Sequence, residues 1–220
     1  MLKPAGAVFA ALLLLTSIAL GQDSHYDGSV SGAAIFTKQS TGNGVTQSAT
    51  DGLNAFGTIR AKFNDKHSIL FNYGRAKNSQ VYQTTGDNFH VLSNISEYTG
   101  AYVFSPFQRG KLEPFVLAGG GVLRFSPRST WVFFPELPDN VPDNVQVNLN
   151  ASKQTEIAFL YGLGVDYKVY WKFALRVQYR GFLYRAPDFH IDSSSGNSVS
   201  FFTGAYGHMA EPSAGVVFRF

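Results

Sequence analysis

The chain closes on EPSAGVVFRF, Glu211–Phe220. Taking every second residue back from the end gives Phe220, Phe218, Val216, Ala214 and Pro212. Between them lie Arg219, Val217, Gly215, Ser213 and Glu211. A period of two predicts a strand with two unlike faces, one apolar and one small or charged. Such a strand suits a wall with lipid on one side and a polar interior on the other. The competing reading is the edge strand of a soluble sandwich, and the segments upstream discriminate between the two.

Working back along the chain, the same alternation recurs. In Trp171–Tyr184, Phe173, Leu175, Val177, Tyr179 and Leu183 alternate with Ala174, Arg176, Gln178, Arg180 and Phe182. In Gln154–Tyr167, Ile157, Phe159, Tyr161, Leu163, Val165 and Tyr167 oppose Glu156, Ala158, Leu160, Gly162, Gly164 and Asp166. Further strands are expected at Leu112–Phe125, Leu92–Phe104, Ser68–Arg75, Leu53–Phe63 and Ser29–Thr37. Leu112–Phe125 is apolar on both faces, and Arg124 assigns its own set (Pro114, Val116, Ala118, Gly120, Val122) to the inside. Gly119-Gly120-Gly121 has no Gly-Lys-Ser/Thr after it and no helix pattern. It reads as a bend or a close strand approach, not a phosphate loop.

Eight strands result, and their connections alternate long and short. The long ones are Lys38–Asp51, Ala76–Phe89, Ser126–Lys153 with its PDNVPDNV repeat, and Arg185–Gly204. This predicts an all-β, eight-stranded antiparallel up-and-down transmembrane β-barrel. The strands that run toward the short turns end on Phe63, Phe104, Tyr167 and Phe220. With Trp171 these form an expected aromatic girdle at the periplasmic interface.

Composition agrees. Charged residues make up 15% of the chain, against about 25% in soluble domains. Cysteine is absent, so a closed strand network has to supply the stability that disulfides often give exported proteins. The formal net charge is only +3, and no basic stripe suggests nucleic acid. Met1–Gly21 has a basic Lys3, an apolar run and a small-residue end, the pattern of a Sec signal peptide. Residues 22–220 are then the barrel domain, and no second domain is expected.

The narrow lumen of eight strands is filled by side chains. The expected inward charges are Arg60, Lys62, Glu97, Arg124, Glu156, Asp166, Arg176, Arg180 and Arg219, with Glu113 and Glu211 near strand ends and open in facing. Buried charges must pair, so a salt-bridged lumen network is expected, either as a plug or as a gate. Trp131, Phe133 and Phe134 are candidate contact residues in the third long loop.

The signal peptide, the eight alternating strands and the terminal VFRF resemble the small outer-membrane β-barrels of the OmpA transmembrane domain and OmpX type. The segment WKFALRVQYRGFLYRAPDF, Trp171–Phe189, is similar to the penultimate strand of barrels in that broad group. The resemblance implies outer-membrane location, contact with outer-membrane lipid, and recognition of the C-terminal strand by the barrel-assembly machinery. It implies no single activity: adhesion, envelope integrity, solute passage and, in a few members, lipid A chemistry all occur. For a deacylase-like site, His208 has Ala210 where a serine nucleophile would stand. The other candidate, His190 with Asp192-Ser193, lies in a serine-rich loop. No catalytic, cofactor-binding or metal residues are expected, and the function expected is non-enzymatic: envelope integrity or interaction with an extracellular ligand through the loops. A narrow channel and a lipid A-modifying enzyme are the alternatives.

Overall fold

The computed structural model describes residues 25–83, 88–133, 151–189 and 202–220, without the side chains of 88–89 and 129–133. It contains β1 (Tyr26–Lys38), β2 (Ser40–Gly42), β3 (Val45–Ala49), β4 (Gly52–Lys62), β5 (His67–Gln83), β6 (Asn88–Phe104), β7 (Leu112–Phe133), β8 (Gln154–Tyr170), β9 (Phe173–Arg185) and β10 (Tyr206–Arg219). β1 and β4–β10 pair antiparallel with their neighbours, and β1 pairs β10 to close an eight-stranded up-and-down barrel. β2 and β3 form a small hairpin above β1, and β3 pairs the far end of β5. Asn43 and Gly44 have φ of 50° and 74°, the left-handed pair that a two-residue hairpin turn needs.

The stagger of the barrel follows from the register. Starting at Thr155, successive partners are Arg124, Ser96, Arg75, Ala55, Gly32, Ala214, Val177 and finally Val165, back on β8. One circuit therefore shifts the row by ten residues along β8. Eight strands with that stagger tilt by roughly 40° to the axis and leave room for side chains only.

Every second residue faces out, and the outer face is apolar. Leu53 is 78% exposed, Ile157 81% and Leu163 60%. Exposure on this scale over a whole surface is tolerated when hydrocarbon covers it. At the short-turn end the outer face carries rings: Phe173 lies 5.2 Å from Phe218, and Phe220 stacks on Tyr26 at 6.4 Å.

Three features differ from the sequence reading. First, β7 faces the other way: Glu113, Phe115, Leu117, Leu123 and Phe125 are buried and Arg124 is exposed. Glycine is required at the inward positions Gly119 and Gly121, because a Cβ there would strike the β6 backbone at Gly100–Ala101 and Tyr98–Thr99. The carboxylate of Glu113 is also needed inside, as described below. Second, β5 and β7 run on to Gln83 and Phe133, through stretches expected to be loop. In β5 polar residues occupy both faces over Lys77–Gln80 and the alternation fades, yet pairs such as Gln80 with Val91 continue the ladder. Third, β2 and β3 occupy a stretch expected to be loop.

Candidate functional site

The inward residues build three layers. The floor, at the short-turn end, draws one or two charged side chains from each of six strands. Arg60 of β4 donates from Nε to Asp27 Oδ2 at 2.6 Å and from Nη2 to Asp166 Oδ2 at 2.9 Å. Arg176 of β9 grips Asp166 of β8 with two bonds, Nε to Oδ1 at 2.7 Å and Nη2 to Oδ2 at 2.8 Å. Glu113 of β7 accepts from Lys62 Nζ at 3.0 Å and from Arg219 Nη2 at 2.7 Å. Phe115 lies between the two arginines, its centroid 5.8 Å from the Arg60 guanidinium carbon and 5.2 Å from that of Arg176. Planar guanidinium groups suit both tasks: a forked grip on carboxylate and stacking on a ring.

Half way up lies a triad. Arg180 reaches both oxygens of Glu97, at 2.9 Å and 3.0 Å, and also binds Glu211. Asn54 donates to Glu211 Oε1 at 2.8 Å, and Thr99 donates to Glu97 Oε1 at 2.7 Å. Phe56 lies under the Arg180 guanidinium at 3.7 Å. The floor holds four cations against three carboxylates, and the triad one against two. The two layers balance only together.

Above the triad the lumen turns apolar. Leu123, Phe125, Leu160, Phe182, Tyr184 and Met209 are buried in one cluster. Phe189, from the segment after β9, drops into it fully buried, its ring 6.3 Å from both Tyr82 and Phe125. Its φ is 54°, a conformation that costs a bulky residue about 1 kcal/mol or more unless its surroundings hold it. Three hydrogen bonds from two side chains hold it here. Gln154 Oε1 accepts from the backbone N–H of Asp188 and Phe189 at 3.0 Å and 2.8 Å, and Tyr82 donates its hydroxyl to the Pro187 carbonyl at 2.6 Å.

The expected inward charges are distributed as follows. Arg60, Lys62, Asp166, Arg176 and Arg219 meet in the floor, joined by Glu113 and by Asp27, which the sequence reading missed. Glu97 and Arg180 meet in the triad with Glu211. Glu156 is half-buried near the far end of β8, accepts from Gln154 at 2.6 Å and joins neither layer. Arg124 lies outside the barrel. Phe63, Tyr167 and Trp171 are exposed and Phe104 and Phe220 half-buried, all at the short-turn end. Trp131 and Phe133 belong to the end of β7, not to a loop, while their side chains and Phe134 lie outside the described residues, as do His190, Asp192 and Ser193. His208 faces out, its Nε2 2.7 Å from the Tyr161 hydroxyl. Among the described residues no group of three His, Cys, Asp or Glu could hold a metal ion.

No protein-family model matches the chain, and no curated protein matches it in sequence. Solved structures do. Neisserial surface protein A is 18% identical, with a TM-score of 0.50 over 90% of this chain and 98% of that one. Outer membrane protein OprG of Pseudomonas aeruginosa is 13% identical, with a TM-score of 0.48 over 90% and 97%. AlkL, solved in lipid bilayers, is 16% identical, with a TM-score of 0.48 over 92% and 93%. At such identities a likeness speaks for architecture only, and the architecture is that of the small transmembrane β-barrels of outer membranes.

Proposed function

We propose that the chain is a non-enzymatic bacterial outer-membrane protein that serves envelope integrity or surface interaction through the long connections at one end. On this reading residues 1–21 direct Sec export and are removed, and the β10 strand is read by the barrel-assembly machinery. The observation that carries the proposal is the filled lumen: a paired charged floor, a paired triad and an apolar cap succeed one another along the axis. A barrel filled in this way offers its loops and its outer wall for function. β7, of 22 residues, is the longest strand, and with β5 and β6, of 17 each, it carries that end away from the apolar belt. The test is deletion of residues 134–150, with whole-cell binding and detergent sensitivity as readouts. Unchanged behaviour in both would end the proposal.

One observation favours a second reading, a gated narrow channel. Arg180 serves two carboxylates at once, so the triad has an alternative pairing available. Planar-bilayer recordings decide it: conductance steps that change with Arg180→Gln support a gate, and silence in both forms removes it. A lipid A-modifying role fares worse, since His208 has Tyr161 as its partner and Ala210 two positions on. Unchanged lipid A mass spectra on overexpression would close that route.

A further inference from the structure

The six carboxylates on barrel strands, Asp27, Glu97, Glu113, Glu156, Asp166 and Glu211, all sit on the inward set. Outward cations are treated differently. Arg75 and Arg124 belong to one outward row, with Ser96 between them as direct partner of both. Lys77 stands one step further along β5. All three are exposed, and among the described residues none makes an ion pair, whereas the lumen cations are matched to carboxylates.

Partner rows are inclined by roughly 40° in this barrel, so the level of the cluster is read strand by strand. One outward step toward the short turns, Tyr73 lies below Arg75, Tyr98 below Ser96, Val122 below Arg124 and Ile157 below Thr155. Tyr73 and Tyr98 form a ring pair at 5.1 Å, and Ile157 is among the most exposed apolar residues. Tyrosines at the edge of an apolar belt mark the border between hydrocarbon and headgroups. The cations thus stand immediately above that border. Two strand spacings separate Arg75 from Arg124, about 10 Å between Cα atoms, and Lys77 is about 7 Å along the strand from Arg75. Side chains as long as these can span such separations to reach one headgroup.

We propose that Arg75, Lys77 and Arg124 form a binding site for the phosphate groups of an outer-leaflet glycolipid of the lipid A type, whose acyl chains lie on the tyrosine row below. The inference rests on the outer-membrane placement proposed above and is independent of the role of the loops. Guanidinium groups recognise phosphate with two parallel hydrogen bonds, and Ser96 adds a hydroxyl between them. The opposite wall provides the contrast. There Lys38 is the strand partner of His208, and the Arg185 guanidinium lies 4.7 Å from the Phe202 ring centroid. Among the described residues no further Lys or Arg stands beside those two on their strands as Lys77 stands beside Arg75.

The test is native mass spectrometry of the folded full-length barrel titrated with bis-phosphorylated lipid A, with the same lipid after dephosphorylation, and with inorganic phosphate as competitor. Folding of each protein is checked by its mobility on cold SDS gels. The variant R75Q/K77Q/R124Q is expected to bind lipid A on the order of a hundredfold more weakly. K38Q/R185Q is expected to stay close to the parent, the dephosphorylated lipid to bind poorly to both, and inorganic phosphate at equal concentration to leave the complex intact. Undiminished binding by the triple variant overturns the site. An equal loss in K38Q/R185Q also overturns it, because the attraction is then that of a general basic collar. Equal binding of dephosphorylated lipid removes the phosphate, and displacement by inorganic phosphate removes the lipid. Should the triple variant fail to fold, Arg124→Gln alone is read in the same assay, with at least a severalfold loss expected and no loss counting against the site.

Discussion

The floor and the cap of the lumen lie in the same barrel and solve the same packing problem with opposite chemistry. The floor fills its cross-section with seven charged side chains whose hydrogen bonds fix every partner. The cap fills its own with the side chains of Leu123, Phe125, Phe182, Met209 and Phe189, which touch without directed bonds. Charge in a low-dielectric interior is costly unless each group is matched, so the floor tolerates one arrangement. Apolar side chains tolerate several of similar volume. The floor thus specifies geometry, and the cap excludes water at the loop end.

Substitutions should separate the two layers. The largest loss is expected from Arg176→Ala, which strips buried Asp166 of its two-bond partner and leaves it the single bond from Arg60. A cost of about 3–5 kcal/mol is expected, read as a lowered urea midpoint for unfolding from lipid vesicles. Phe125→Ala in the cap should cost somewhat less, about 3 kcal/mol for the lost burial and the cavity left; a loss larger than that of Arg176→Ala would break the contrast. Glu97→Gln should cost under about 1.5 kcal/mol, because Glu211 still answers Arg180 and a like-charge contact is relieved. A loss as large as that from Arg176→Ala would show that the triad is as tightly specified as the floor. Arg124→Ala should change stability by no more than about 0.5 kcal/mol, since its side chain enters neither layer.

The barrel itself was legible where one face meets lipid and the other a polar lumen. β8, β9 and β10 alternate so regularly that their facing followed from residue type alone. Legibility failed where that contrast is absent. β7 is apolar on both faces, so one arginine had to decide its facing. Arg124 lies high enough on the strand to reach headgroups outside, and position along a strand is invisible until the register is known. The continuation of β5 through Asn78–Gln83 carries polar residues on both sides and looked like loop. The hairpin at Asn43-Gly44 did have its signal, the dipeptide that a tight turn prefers, inside a stretch otherwise read only for its polarity. Asp27 was missed for a related reason. It precedes the weakest of the eight alternations, and its value lies in Arg60 and Arg176, which are remote in sequence. Inward charge was therefore readable on β4, β6, β8 and β9 but not on β1 or β7, and the division into floor and triad was not readable at all, because it depends on the ten-residue stagger.

That floor has a consequence for how the sheet finds its closed form. Alternation of faces is blind to a slip of two residues: each strand moved by that amount still shows lipid an apolar side. Asp27 on the first strand and Arg219 on the last are direct partners across the seam, and Arg60, Glu113, Asp166 and Arg176 converge from four strands between them. A slip of two at any of these joints would leave the faces intact and strand a charge without its counterpart. The floor thus works as a combination lock on strand alignment, opening to the low-energy state only when six strands are set to the right number at once.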